Sequence, residues 1–422
     1  MSHTHPGFAG RSTFIDALRG IAALGVACYH IDRYGPLPEA AGKFIPLSLQ
    51  AVLDHGWIGV QVFFVISGFV IAYSVRSARV TPGYLANYAL RRSIRLDPPY
   101  WSTIAFVLLL HAVLHLHLGF DSPLDVPTKL EPALSWQLLA SHLFYLQNIL
   151  DYDNLSAGFW TLCIEVQFYL LYVVGQGIAQ RFPHRNRHTP ADASPIGLIV
   201  VFAPLALLSL FVWNRGIDLW DRPFDNEMWI IRFFCMFFLG ASAWWALDGR
   251  IPRWLFWLYA AAFASRILLQ AQWSGWSDDL TIGLSAALAA GLSTYAAGRL
   301  GRLGTWLDYG VLQYLGRISY SLYLIHFPMS HVVTTLGSQV LGENPGPALA
   351  TLWLVLALVA SLGAAHLLYR FVEAPSVRLA ARLKRAPAAA PRTAPAATPA
   401  PATAATPAAA TAEAAVVSAP VN

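Results

Sequence analysis

The sequence predicts an all-α fold: a polytopic membrane helical bundle with about ten transmembrane helices and both termini in the cytoplasm. Of the 422 residues, 56% are hydrophobic and only 12% are charged, whereas soluble domains contain about 25% charged residues. Ten apolar stretches are long enough to cross a hydrocarbon core of about 30 Å. The connections between these stretches alternate between basic and acidic, which indicates the orientation of the bundle.

The predicted spans are listed here in chain order: 14–31, 57–75, 100–118, 158–180, 195–213, 229–247, 254–271, 279–297, 315–336 and 348–372. Most of the basic residues outside the predicted spans lie at the chain ends or in four connections: 76–99, 181–194, 248–253 and 298–314. Short loops rich in Lys and Arg stay in the cytoplasm. An even number of spans then places both termini on the cytoplasmic side.

Composition also predicts that the chain is divided into two parts. Residues 1–385 form the predicted membrane domain, and residues 386–422 are Ala/Pro/Thr repeats that predict a disordered cytoplasmic tail. The net charge of +5 follows from the basic loops, so we expect the lipid bilayer as a partner and no nucleic acid. The three cysteines all lie in predicted spans and have no pairing spacing, so no disulfide framework is predicted.

Arg19 and His30 place two ionisable side chains inside the first span, FIDALRGIAALGVACYH. Eleven residues separate them, so on a helix they lie within about 20° of one face and roughly 16 Å apart along the axis. An ionisable group at membrane depth is costly, which makes this face a candidate functional site. In the alternative interpretation, Asp16 neutralises Arg19 and His30 caps the helix at the interface.

Arg92 and Arg95 lie in RRSIRLDPPYW, before the third span. At a spacing of three residues they share one helix face, and we expect Pro98 and Pro99 to end that helix. Two aligned guanidinium groups are suited to binding phosphate. The alternative interpretation is ordinary positive-inside anchoring of a cytoplasmic loop.

Glu165 and His326 are further polar groups inside predicted spans, in FWTLCIEVQFYLL and LGRISYSLYLIHFP. A lone carboxylate in a membrane is tolerated when an imidazole or an arginine pairs with it, or when it is protonated. The sequence leaves open whether Glu165 is paired with such a group or protonated.

Near the end of the bundle, Arg370 and Glu373 are three residues apart and predict a structural ion pair, and Pro375 is expected to stop or bend the last span. His111 and His115 have the spacing of metal ligands on a helix. No carboxylate or cysteine is spaced to complete a site with them, so no metal is expected.

Five of these stretches together resemble the acyltransferase-3 family of bacterial inner-membrane O-acyltransferases, over roughly residues 12–376. They are FIDALRGIAALGVACYH with the R-x10-H motif, GVQVFFVISGF, RRSIRLDPPYW with the R-x-x-R motif, FWTLCIEVQFYLL, and LGRISYSLYLIHFP. The sequence departs from the family pattern where EAP replaces the commoner ERP and where Asp97 adds an acid beside the arginines. No SGNH-type esterase or transferase domain is expected after the bundle.

The resemblance implies a multi-pass enzyme of the bacterial inner membrane. Its expected donor is cytoplasmic acyl-CoA, with acetyl-CoA favoured, and its expected acceptor is a hydroxyl of a cell-surface or exported glycan, or of a lipid-linked sugar, on the outer side. A separate partner protein would carry out any onward transfer of the acyl group.

The resemblance also implies roles for individual residues. Arg92 and Arg95 would bind the anionic part of the donor. Arg19 would stabilise either a phosphate or the thioester oxyanion. His30 would act as a base or as a transient acyl carrier, oriented by Glu165 or His326. The sequence leaves open both direct transfer and an acyl-histidine intermediate.

Two other classes of protein compete with this interpretation. A secondary transporter of a glycan or small molecule would show an internal repeat with broken helices at matching positions, and the sequence contains no such repeat. A membrane scaffold without catalytic activity would leave the shared helix face of Arg19 and His30 unexplained.

Overall fold

A computed structural model of the chain describes residues 12–33, 36–113, 135–183, 193–212, 218–219, 222–223, 229–342 and 345–384. The tail at 386–422 lies outside these residues, so its predicted disorder stays a prediction.

The described chain is helical, which confirms the all-α prediction. The helices are α1 Thr13–Ile31, α2 Pro36–Gly42, α3 Leu47–Asp54, α4 Gly59–Ser74, α5 Pro82–Leu110, α6 Trp136–Leu143, α7 Phe159–Ala179, α8 Pro195–Val212, α9 Ile230–Leu247, α10 Arg253–Ser274, α11 Asp279–Arg299, α12 Gly310–Leu341, α13 Pro347–Leu368 and α14 Ala374–Lys384. A 3-10 turn, Gly56–Ile58, precedes α4, and a π-helical segment, Tyr369–Glu373, joins α13 to α14. Two short antiparallel strands, β1 Asp218–Leu219 and β2 Arg222–Pro223, pair with each other.

Seven helical segments of the described chain are long and apolar enough to cross a membrane. They are Thr13–Ile31, Leu47–Ser74, Phe159–Ala179, Ile230–Leu247, Arg253–Ser274, Asp279–Arg299 and Pro347–Leu383. The other predicted spans fall on α5, α8 and α12, which are helical but less apolar or shorter. The multi-pass membrane bundle is therefore confirmed, while the count of ten and the side of the termini stay predictions.

The structure corrects the predicted boundary of the third span. Helix α5 begins at Pro82, after an N-cap in which Thr81 Oγ1 accepts a hydrogen bond from Tyr84 N at 3.1 Å, and it continues through Pro98 and Pro99. The expectation that these prolines end the helix is wrong. Arg92 and Arg95 consequently lie within a long helix rather than in a loop.

Neighbouring groups stabilise α5 around its prolines. The hydroxyl groups of Ser102 and Thr103 donate to the carbonyl oxygens of the two prolines at 2.7 and 2.9 Å. From α12, the Tyr320 hydroxyl donates to Leu96 O at 2.9 Å. Proline removes a backbone donor from a helix and clashes with the preceding turn, so tertiary contacts here override a local preference.

Helices α1 and α12 pack in parallel at very short distance. Gly20 of α1 lies against Gly316 of α12, where a Cβ on Gly20 would stand 2.7 Å from Gly316 N. Ten residues further along each helix, the imidazole rings of His30 and His326 have centroids 5.0 Å apart. Small residues at a helix crossing let two backbones approach closely, and this crossing aligns the two histidines.

An aromatic core holds α4, α7 and α9 together beside this pair of helices. The rings of Phe168 and Phe237 stack with centroids 4.0 Å apart, and Phe64 lies 4.7 Å from Phe237. Aromatic pairs of this kind bury large apolar areas and add roughly 0.5–1.5 kcal/mol beyond area burial. The core therefore provides a rigid wall for the polar residues that the next subsection describes.

The structure also corrects the interpretation of the last span. Arg370 is exposed, whereas Glu373 is only 6% exposed and faces inward from the π-helical segment. The predicted structural pair of Arg370 and Glu373 is therefore wrong. The chain also continues helically past Pro375 to Lys384 instead of stopping there. A π-helical turn changes the register of side chains around a helix, and such turns are frequent at functional sites.

The α1–α12 crossing predicts unequal effects for one substitution at two glycines. A Cβ on Gly316 would collide with the Asp16 carbonyl group, whereas a Cβ on Gly310 would meet nothing within 4 Å. Gly316→Ala should destabilise the protein by about 1–3 kcal/mol, as overpacking does. Gly310→Ala should leave the melting temperature in detergent unchanged or slightly raised. Equal melting temperatures in the two variants would contradict the close crossing.

Candidate active site

An open cavity lies between α1, α4, α5, α7, α12 and the π-helical segment. Five charged residues line it, each from a different part of the chain except for two on α5: Arg19, Arg92, Arg95, Glu165 and Glu373. The structure thus brings together four of the predicted site residues. We call this space the charged cavity.

Arg92 and Glu165 form the partnered part of the charged cavity. The Arg92 guanidinium lies 3.7 Å from the ring centroid of Tyr169 and 3.8 Å from Glu165 Oε1. That carboxylate also accepts hydrogen bonds from Ser67 Oγ at 2.8 Å and from the Tyr169 hydroxyl. Of the alternatives that the sequence left open for this carboxylate, the structure shows a contact with an arginine.

Arg19 and Arg95 form the part of the charged cavity that lacks hydrogen bonds and ion pairs. Within the ranges that the structure describes, neither side chain makes a hydrogen bond or an ion pair, although both line the charged cavity. The three guanidinium groups face two carboxylates, which leaves one excess positive charge. A planar guanidinium with unused donors recognises phosphate and carboxylate oxygens in fork geometry. The cavity therefore has the chemistry of an anion site.

Glu373 is the cavity residue that sequence reasoning missed. Its Oε2 accepts hydrogen bonds from Ser321 N at 3.2 Å and from Ser321 Oγ at 2.6 Å. Arg19 and Arg95 are the cations that act on this carboxylate electrostatically. The spacing from Arg370 misled the prediction, because a π-helical turn breaks the rule that residues three apart share a helix face. The position of this carboxylate at the end of an apolar span was the sequence feature that could have indicated a functional role.

The second predicted group is the pair of histidines at the end of α1. His326 Nε2 lies 3.1 Å from His30 Nδ1. His30 Nδ1 is also 2.9 Å from Val26 O, and His326 Nδ1 is 3.1 Å from Leu322 O. A carbonyl oxygen only accepts, so both Nδ1 atoms carry a proton and His326 Nε2 accepts from His30.

These contacts fix which histidine donates and which accepts: His30 donates to His326. In the neutral rings, His30 Nε2 carries the lone pair that can take a proton. Once it is protonated, His30 still donates from Nδ1 to His326 Nε2 and to Val26 O, so the positive charge is stabilised. This arrangement of the two rings has the geometry of a base and its orienting partner in a catalytic triad. Of the two predicted partners, His326 makes this bond, while Glu165 contacts Arg92.

Tyr323 lies between the charged cavity and the histidine pair. Its ring centroid is 5.9 Å from that of His326, and its hydroxyl group is 2.7 Å from Thr161 Oγ1. Both Tyr323 and Thr161 line the charged cavity. The cavity and the histidines are therefore adjoining parts of one candidate site.

The described residues include no group of three His, Cys, Asp or Glu side chains that could hold a metal ion. His115, the predicted partner of His111, lies outside the described residues.

A family model described as an acyltransferase domain matches residues 12–370. The chain belongs to this acyltransferase family. The match covers both histidines and every charged residue of the charged cavity except Glu373, so the resemblance inferred from the sequence motifs is confirmed. The protein is a multi-pass membrane enzyme of the acyltransferase class.

Two curated acyltransferases are similar to this chain along most of its length. Acyltransferase MdmB of Streptomyces mycarofaciens is 27% identical over 409 residues, covering 89% of this chain and 94% of MdmB. O-acetyltransferase OatA of Staphylococcus aureus is 26% identical over 384 residues, covering 86% of this chain but 56% of OatA. The chain thus spans about half the length of OatA. No solved structure matches the chain.

The two kinds of arginine in this acyltransferase predict different effects on stability. Arg92→Ala should leave the Glu165 carboxylate without its cation, which costs on the order of 1–3 kcal/mol. Arg95→Ala removes a side chain that makes no hydrogen bond or ion pair in the described chain and acts on Glu373 only at longer range, so the melting temperature should change less. The double variant Arg92→Ala with Glu165→Gln should recover part of the loss. Equal melting temperatures for the two single variants would contradict this division.

Proposed function

We propose that the protein moves an acetyl group from cytoplasmic acetyl-CoA to a hydroxyl of a cell-surface or exported glycan, or of a lipid-linked sugar. The reaction would take place at the bacterial inner membrane, with the acceptor on the outer side. One observation carries this proposal: helix α1 presents Arg19 to the charged cavity at one end and His30 to a second histidine at the other.

The charged cavity supports an anionic, extended donor such as acyl-CoA. Its unpartnered arginines, Arg19 and Arg95, suit the phosphate groups of the donor. Arg19 and His30 are roughly 16 Å apart along α1, which is too far for one small group to contact both. We therefore assign Arg19 to the anionic part of the donor rather than to the thioester oxyanion, and the pantetheine arm would reach past Tyr323 toward His30.

At the histidine pair, we propose general-base catalysis. His30 Nε2 takes the proton of the acceptor hydroxyl as its oxygen attacks the thioester carbonyl carbon. The C–S bond then breaks, and the CoA thiolate receives the proton from the His30 imidazolium. His326 accepts from His30 Nδ1 throughout and stabilises the charge. In an acyl-histidine route, the same Nε2 would attack the thioester first.

The resemblance to OatA supports transfer of an acetyl group to a hydroxyl oxygen, because that relative is named an O-acetyltransferase. Family membership supports an enzyme over the transporter alternative. If the acetyl group must travel further after transfer, a separate partner protein would carry it.

Replacing His30 tests the chemical step. His30→Ala should lower acetyl transfer by about 10²–10⁴-fold, the usual effect of losing a general base, while the affinity for acetyl-CoA stays unchanged. His326→Ala should lower the rate as well, and His326→Gln should restore part of it, since an amide oxygen can accept from His30 Nδ1. Transfer assays with radiolabelled acetyl-CoA measure both. Near-normal turnover by His30→Ala would remove this residue from the mechanism.

Arg95 tests the donor site. Arg95→Ala should raise the apparent KM for acetyl-CoA by about ten- to a hundred-fold, because a charge-assisted hydrogen bond contributes roughly 1.5–3 kcal/mol. Arg95→Lys should rescue only partly, since an ammonium keeps the charge but loses the fork geometry. Titration of acetyl-CoA on solubilised protein checks this result. Unchanged affinity in both variants would restore the interpretation that the arginines anchor topology.

A further inference from the structure

A second cleft opens at the end of the bundle that contains His30. Helices α4, α7, α9 and α11 all begin at this end. Aromatic and polar side chains both line the cleft, and six of them matter for its chemistry: Trp57, Trp160, Asn148, Asn154, Arg232 and Asp279. We call this space the aromatic–polar cleft.

Asn148 is a buried polar group in this cleft that lacks a full set of partners. The residue is only 2% exposed, and its Oδ1 makes no hydrogen bond within the described chain. Its Nδ2 donates to Trp160 O at 3.4 Å. Leaving a buried acceptor unsatisfied costs roughly 1–3 kcal/mol. An incoming hydroxyl group would remove this cost.

The Trp57 ring fits into the cleft because the residue that faces the ring is a glycine, Gly283. A Cβ on Gly283 would stand 3.1 Å from Trp57 Cζ3 and 3.2 Å from Gln61 Nε2. Gly56, the residue before Trp57, packs on the backbone of α1. A Cβ added to Gly56 would lie 3.0 Å from Tyr29 Cβ. The chain segment that carries Trp57 therefore contacts α1 at Tyr29, the residue next to His30.

The loop that carries Asn148 and Asn154 is held in place by His142. The imidazole Nε2 accepts from Leu155 N at 3.1 Å, and Nδ1 donates to Leu138 O at 2.9 Å. Burial lowers the pKa of His142 to about 4, so the ring is neutral near pH 7 and Nε2 can accept. The polar wall of the cleft is therefore ordered before any ligand binds.

We infer that the aromatic–polar cleft binds a pyranose ring of the acceptor saccharide; this inference rests on the proposed acyl transfer. A pyranose has an apolar C–H face that packs on indole rings such as Trp57 and Trp160, and a rim of hydroxyl groups that amides and carboxylates bind. Asn148 Oδ1 supplies the buried acceptor, and Arg232 and Asp279 supply charged partners at the mouth. A lipid tail would leave Asn148 Oδ1 without a hydrogen bond.

Cysteine protection tests binding without requiring catalysis. In a background with Cys28→Ser, Asn154→Cys places a thiol in the cleft, and Ser277→Cys places one on the neighbouring exposed loop as the matched control. The probe is a mixture of hexose and N-acetylhexosamine oligosaccharides, and maleimide labelling is followed with time. The saccharides should slow labelling of Asn154→Cys at least several-fold and leave Ser277→Cys unchanged.

Further variants then assign the effect to the cleft. Adding Trp57→Ala or Asn148→Ala should abolish the protection, whereas Trp276→Ala, an exposed tryptophan outside the cleft, should not. Two variants are used so that a folding failure of one leaves the other informative. Absence of protection by the saccharides, or equal protection by anionic phospholipid, overturns the inference. Protection without acetyl transfer by the wild type would instead reject the proposed function.

Discussion

The close parallel packing of α1 against α12 is the contact on which the rest of the site depends. Two glycines, Gly20 and Gly316, let the backbones approach until a Cβ on either would collide. Because both helices continue rigidly from this crossing, His30 and His326 meet ten residues later with a 3.1 Å bond. A helix pair held apart by larger side chains would separate the imidazoles beyond hydrogen-bond reach.

Placing guanidinium groups inside a membrane bundle is costly, and the charged cavity offsets only part of that cost. Glu165 pairs with Arg92 and fixes its position, while Glu373 is held by Ser321 and compensates the other arginines at longer range. The remaining positive charge has no counterpart among the described residues. Such an arrangement is tolerated where a bound anion completes it, because an unpaired charge in an apolar medium is otherwise expensive. The same feature that destabilises the empty site therefore favours the binding of an anion.

Much of the site could be predicted from helical spacing alone. The shared face of Arg19 and His30, and the need of Glu165 for a partner, both follow from periodicity and burial. Two features escaped prediction because tertiary structure overrode a local rule: α5 continues through its prolines, supported by Tyr320, and the π-helical turn directs Glu373 inward. Pairings across the bundle, such as that of His30 with His326, depend on helix packing and cannot be read from spacing within one segment.

The distance between Arg19 and His30 on α1 constrains the directions from which the substrates would reach His30. A donor held by its anionic part near Arg19 must extend along the helix to bring its acyl carbon to the imidazole. The aromatic–polar cleft adjoins the opposite end of α1, beside Gly56 and Tyr29. Donor and acceptor would therefore approach from opposite ends of one helix and meet at His30. On this geometry neither substrate has to cross the bundle, and only the acyl group passes from one side of the imidazole to the other.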